Sequence, residues 1–106
     1  MEVTVRATET GQSVRVGRDD VIVIKLPENP TTGYRWDVDR IDQAVLNLEA
    51  STFSGPQGAA VGAAGTREIR VRPKAAGRGS IHLKNARAWD PPQTAIGRFD
   101  LAVEVT

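Results

Sequence analysis

Hydrolysis and group transfer need a nucleophile, a base beside it and donors for the charge that develops. This chain offers few such groups, and they are scattered. His82 is its sole histidine. It stands between Ile81 and Leu83 in an alternating run, which puts it on the polar outer face of a strand as an ordinary solvated residue. Ser13, Ser51, Ser54 and Ser80 lie outside any Gly-x-Ser-x-Gly turn, and a nucleophilic serine needs a base next to it. Asp19-Asp20 sits in a turn. Asp37 and Asp39 share a strand face, where glycosidase-like work also demands a cleft and a raised pKa. No residues show metal-ligand spacing. Val61-Gly62-Ala63-Ala64-Gly65 has the glycines of a phosphate cradle, but a strand follows it in place of a helix carrying Lys-Ser or Lys-Thr. The expectation is a protein that is not an enzyme and holds no metal and no cofactor.

Composition narrows the class further. There are no cysteines, so disulfides, thiolate metal sites and a cysteine nucleophile are excluded. At 106 residues the chain matches one domain spanning 1–106, burying roughly two-thirds of its unfolded surface. The 14 basic and 13 acidic residues nearly cancel to a net charge of +1, without the clustered basic face of a nucleic-acid binder. No apolar run is long enough to span a membrane. A monomer is expected, with neither nucleic acid nor membrane as partner. Met1-Glu2-Val3-Thr4-Val5 begins in a strand pattern and lacks the basic and apolar regions of a signal peptide. A cytoplasmic location follows if Met1 is the native start, and a periplasmic or secreted one if a leader was removed.

Period-two alternation dominates the rest. Val3, Val5 and Ala7 alternate with Thr4, Arg6 and Thr8, and Ser13 to Val16 reads as a short second strand. Val21 to Leu26 is a β-branched run broken only by Lys25, which favours a central strand. Strands follow at Tyr34 to Val38, around Leu46 and Leu48 on to Phe53, at Thr66 to Arg72, around Ile81 and Leu83, and from Phe99 to Val105. The one stretch with helical character is Asp39 to Val45. This spacing predicts an all-β, immunoglobulin-like antiparallel sandwich of about seven to eight strands. Its longest connections, residues 27–33, 54–65 and 87–97, alternate along the chain and are expected to gather at one pole.

The first of those connections is unusually restricted. Asn29 can bond back to the backbone and Pro30 fixes φ near −65°. Thr31 and Thr32 are β-branched, with few rotamers to lose. Gly33 permits a positive φ before Tyr34 re-enters a strand. A loop this stiff suits contact with a partner better than filling a core. In the third connection Trp89 follows Arg87 and Ala88 outside any alternating run. It reads either as a cap on the core or as an interface anchor, a role for which Trp and Arg are enriched. Trp36 reads as core.

Together the three connections resemble the loops of chagasin-like inhibitors of papain-family cysteine peptidases. Asn29-Pro30-Thr31-Thr32-Gly33-Tyr34 matches the family's first signature in full. Gly62-Ala63-Ala64-Gly65 resembles its Gly-x-Gly-Gly motif with Ala64 replacing a glycine, and Arg87-Ala88-Trp89 resembles Arg-Pro-Trp with Ala88 replacing proline. Lys74-Ala75-Ala76-Gly77 also has a family look. The resemblance implies an immunoglobulin-like fold and reversible, non-covalent, tight-binding inhibition of cathepsin L-like enzymes. It places Thr31 and Thr32 over the catalytic cysteine, residues 62–65 along one side of the cleft, and Arg87 and Trp89 along the other.

The two departures are expected to weaken binding and not to abolish it. Ala64 costs about 1 kcal/mol if its φ is positive. Ala88 forgoes the roughly 0.4–1 kcal/mol that a compatible proline contributes through the unfolded chain. The alternative reading is an immunoglobulin-like module that presents the same loops to another protein or to a carbohydrate.

Overall fold

The computed structural model describes residues 1–29, 32–55, 65–91 and 94–106. The Val- and Ile-rich alternation produces eight strands among them: β1 (Glu2–Arg6), β2 (Gln12–Val16), β3 (Val21–Glu28), β4 (Arg35–Ile41), β5 (Leu46–Ser54), β6 (Gly65–Pro73), β7 (Gly77–Ala86) and β8 (Gly97–Val105). They form two four-stranded sheets, ordered β1-β3-β6-β5 and β2-β8-β7-β4. The inward residues of both meet in one core. Ile22, Ile24, Leu26, Ile69 and Val71 come from the first sheet, and Ile81, Leu83, Phe99, Leu101 and Val103 from the second. The sandwich expected from strand spacing is therefore present.

The inner pairings are antiparallel, but the edge strands β1 and β2 add in parallel, to β3 and β8 respectively. A parallel pair needs a crossover. Here β2, lying in the opposite sheet, supplies it between β1 and β3. A one-turn 3-10 helix at Ala7–Glu9 helps carry the chain across, so Ala7 and Thr8 end the first strand instead of prolonging it. The expected helical stretch at Asp39 to Val45 is also different. β4 runs on to Ile41, and a single turn follows in which Val45 and Leu46 both donate to the Asp42 carbonyl, at 3.1 and 3.0 Å. Bulges interrupt both edge strands β4 and β5, between Val38 and Arg40 and between Leu48 and Ala50. Leu48 precedes the second bulge and lies opposite the inward Val71, yet at the sheet edge it is 41% exposed, whereas Leu46 is fully buried.

Val23 points away from the core yet is only 1% exposed. Arg70, its cross-strand partner on β6, reaches over β3 to Glu2 on β1 (3.2 Å) and also lies 3.9 Å from Glu49 on β5. The long arginine arm covers apolar surface while its head group stays among carboxylates.

Register places the three connections at one pole. Glu28 pairs with Gly65 and Ser54 with Thr66 in the first sheet; Arg35 pairs with Ala86 and Asn85 with Gly97 in the second. The ends of β3, β5 and β7 thus lie beside the starts of β4, β6 and β8.

Candidate functional site

At this pole the first and third connections form one cluster. Thr32 provides the local order of the first. Its hydroxyl donates to the Asn29 carbonyl at 2.8 Å and accepts from the Tyr34 amide at 3.3 Å. The loop is therefore held by a hydroxyl bridge as well as by the stiffness of its residues. Gly33 has φ +79°, as its position before a strand suggested. It is needed for a second reason. A β-carbon there would lie 2.7 Å from the Trp89 ring, so only glycine lets the indole sit on this backbone.

Arg87 joins the two connections. Its Nε donates to the Thr32 carbonyl at 3.1 Å. Its guanidinium carbon lies 4.4 Å from the centre of the Tyr34 ring and 5.9 Å from that of Trp89, within the range of cation–π attraction. Trp89 itself is 72% exposed, which excludes the core-cap reading. Trp36 is buried, with its ring N–H bonded to the Pro27 carbonyl at 2.9 Å. Ala88 is exposed in the turn beside Trp89. Among the described residues Trp89 is the one exposed aromatic ring; Tyr34 is half-buried beneath Arg87.

Of the thirteen residues singled out from sequence, the structure thus brings Asn29, Thr32, Gly33, Tyr34, Arg87, Ala88 and Trp89 together. Pro30, Thr31, Gly62, Ala63 and Ala64 lie outside the described residues. Gly65 is the first residue of β6. A β-carbon on it would meet the Phe53 ring and the Ser54 carbonyl, both at 2.5 Å, so its glycine character serves close packing of the strand pair. Ile96 was not anticipated. It is 62% exposed at the same pole and faces Tyr34 across a groove of about 370 Å³. A lone isoleucine in a polar connection was the available signal.

A different arrangement lies on the outer face of the second sheet. The Ser80 hydroxyl is 3.1 Å from His82 Nε2, and His82 Nδ1 is 2.6 Å from Asp100 Oδ1. Since a carboxylate only accepts, Nδ1 carries the proton, and Nε2 is the ring nitrogen that faces the Ser80 hydroxyl. A base does therefore stand beside one serine, which the sequence order concealed: Ser80 and His82 share a face at i and i+2, and Asp100 is the cross-strand partner of His82. The row still lacks the rest of an active site. Ladder N–H groups lie in the sheet plane while side chains stand perpendicular to it, so no backbone donors converge above Ser80 to stabilise an oxyanion. Among the described residues there is no metal-binding cluster.

Residues 15–103 match the model of the chagasin family of peptidase inhibitors, I42. Chagasin of Trypanosoma cruzi is 30% identical over 100 residues, covering 90% of each chain. Amoebiasin-2 of Entamoeba histolytica is 29% identical over 98 residues, covering 92% of this chain and 80% of the relative. The crystal structure of a cysteine protease inhibitor from Entamoeba histolytica superposes with a TM-score of 0.86 at 25% identity, over 99% of this chain and 96% of that one. A strand pattern, a loop cluster and a family model that covers most of the chain agree: this protein belongs to the chagasin family of peptidase inhibitors.

Proposed function

We propose that this chain, acting as a single domain over 1–106 and as a monomer, inhibits papain-family cysteine peptidases of the cathepsin L type reversibly and without covalent chemistry. Its polar loops lie across the active-site cleft. The central connection, Asn29 to Tyr34, covers the catalytic cysteine with Thr31 and Thr32. Residues Gly62, Ala63, Ala64 and Gly65 follow one wall of the cleft, and Arg87, Ala88 and Trp89 the other. Ile96 extends that second contact.

The observation that carries this reading is the clamp between connections. Arg87 is bonded to the Thr32 carbonyl and stacked on Tyr34, and Trp89 is seated on Gly33 with most of its surface left open. A standard protease–inhibitor interface buries roughly 1,600 Å², and its affinity depends on how little must be ordered on binding. Loops already tied to one another have little left to order. Survival of the inhibitor then follows if the central loop keeps its carbonyls out of attack geometry around the thiolate. Family membership supports the partner class; the absence of a complete catalytic constellation among the described residues suits a protein that works by shape.

The test is titration of the purified chain against papain and a cathepsin L-like enzyme, with a serine protease as control. Inhibition of both thiol enzymes, recovery of activity on dilution and an intact inhibitor mass are expected, with the serine protease unaffected. Full papain activity under a micromolar excess of the protein rules the reading out.

A further inference from the structure

Glu28 and Arg67 are the buried charged residues among those described, at 4% and 7% exposure. Arg67 presents Nη2 to Glu28 Oε2 at 2.7 Å and Nε to Oε1 at 3.2 Å, a two-pronged pair. The same Oε1 accepts the Trp36 amide at 2.7 Å. Arg67 also reaches Ser51 Oγ at 3.5 Å and lies 5.6 Å from the centre of the Phe53 ring.

The chain positions of these partners matter more than the bonds themselves. Glu28 ends β3 and directly precedes Asn29; Trp36 is the second residue of β4, two after Tyr34. Ser51 and Phe53 lie near the end of β5 ahead of the second connection, and Arg67 is the third residue of β6 after it. One ion pair therefore touches both roots of the first connection and both roots of the second. A buried pair is a weak source of stability, since well-packed apolar groups of similar volume often do as well or better. Its best-attested use is to fix register, and here the register concerned is that of two loops.

We propose that Glu28 and Arg67 are positioning residues for peptidase binding, holding the roots of the 29–34 and 55–64 connections at one fixed separation so that both tips enter the cleft together. This rests on the inhibitory reading above, and it assigns affinity to two side chains that the peptidase never touches.

The parent and two variants are to be compared, Arg67→Lys and the paired replacement Glu28→Met/Arg67→Met. Arg67→Lys keeps the charge but loses the fork geometry; the paired replacement removes both charges and keeps the bulk. The inhibition constant is measured well below each melting temperature, where a purely structural role leaves it unmoved because the folded fraction stays near one. The expected result is at least a tenfold loss in the paired variant and a severalfold loss in Arg67→Lys. Amide exchange at Tyr34 and Trp36 is read in parallel without peptidase, and should quicken in Arg67→Lys. Parent-like inhibition by either folded variant overturns the inference. Parent-like exchange at Trp36 in Arg67→Lys does so too, even if the parent fails to inhibit, a failure that by itself counts only against the proposed function.

Discussion

The loop pole and the outer face of the β7–β8 ladder hold complementary halves of what a functional site needs. The ladder face has reactive groups in catalytic order, Ser80, His82 and Asp100 joined at 3.1 and 2.6 Å, on a surface whose backbone donors are spent in the sheet. The pole has no nucleophile aligned with a base among its described residues. It has instead a backbone held by side chains: Thr32 bridging its own loop, Arg87 tied to that loop, and Trp89 resting where only glycine fits. Reactive side chains without converging backbone donors leave developing charge unstabilised, whereas an unreactive but pre-ordered protrusion needs only a complementary cleft. Side-chain order alone is thus a poor guide to function, and backbone constraint is a better one.

The comparison breaks most directly at Trp89. Trp89→Ala should weaken inhibition by about 2 kcal/mol or more, near thirtyfold, as expected for an aromatic anchor that becomes desolvated. Because the side chain is 72% exposed in the unbound protein, the melting temperature should barely move. An unchanged inhibition constant removes Trp89 from the interface and with it the main distinction between pole and face.

Gly33→Ala comes next and separates the backbone from the ring. The positive φ costs an alanine roughly 1–2 kcal/mol, which lowers the melting temperature by several degrees for a domain of this size. The new methyl also displaces the indole, since 2.7 Å to the ring is too close for a β-carbon. Inhibition should fall about tenfold, alongside the loss of stability. A variant that melts lower but inhibits like the parent would show that Trp89 finds its place without Gly33.

How much of this was legible beforehand depended on the range of each constraint. Period two exposed the strands, and the restricted types at 29–34 exposed the stiff loop, because both are local. The parallel edges and the Ala7–Glu9 turn were hidden, since they depend on which sheet a strand joins. The exposure of Leu48 was hidden for the same reason, since it depends on β5 lying at the edge of its sheet. Glu28 and Arg67 were readable but overlooked. Ile22, Ile24 and Leu26 face inward, and the same parity carries on to Glu28; Ile69 and Val71 face inward, and stepping back gives Arg67. Two opposite charges at core positions near the ends of two strands already pointed to a buried pair. The Ser80–His82–Asp100 row needed the β7–β8 register, which no spacing in one strand supplies.

The ladder face should be insensitive to substitution. His82→Ala and Ser80→Ala are expected to leave inhibition unchanged and to alter stability by about 0–1 kcal/mol, the range for exposed polar pairs. Hydrolysis of an activated ester such as p-nitrophenyl acetate should proceed equally in parent and variants. A parent rate that collapses in both variants would mean the face is an active site after all, and would undo the contrast drawn here.

The smallest expected effect lies in the link between β2 and β3. Asp20 accepts the Gly17 amide at 2.8 Å, and this hydrogen bond, aided by the terminal amine 3.5 Å away, holds its carboxyl below the usual carboxylate range. A depressed pKa in the folded state means that the unfolded chain takes up its proton first as the solution is acidified. The contribution to stability is therefore complete at neutral pH. It declines as pH falls through the ordinary carboxylate value and is gone below the folded one. Asp20→Asn should be slightly less stable than the parent at neutral pH, with the difference shrinking to nothing on acidification and inhibition unaffected throughout. Urea midpoints of the two proteins followed from neutrality down through the carboxylate range decide it: a constant gap would mean that Asp20 acts through its shape, and a widening one would reverse the sign of the linkage.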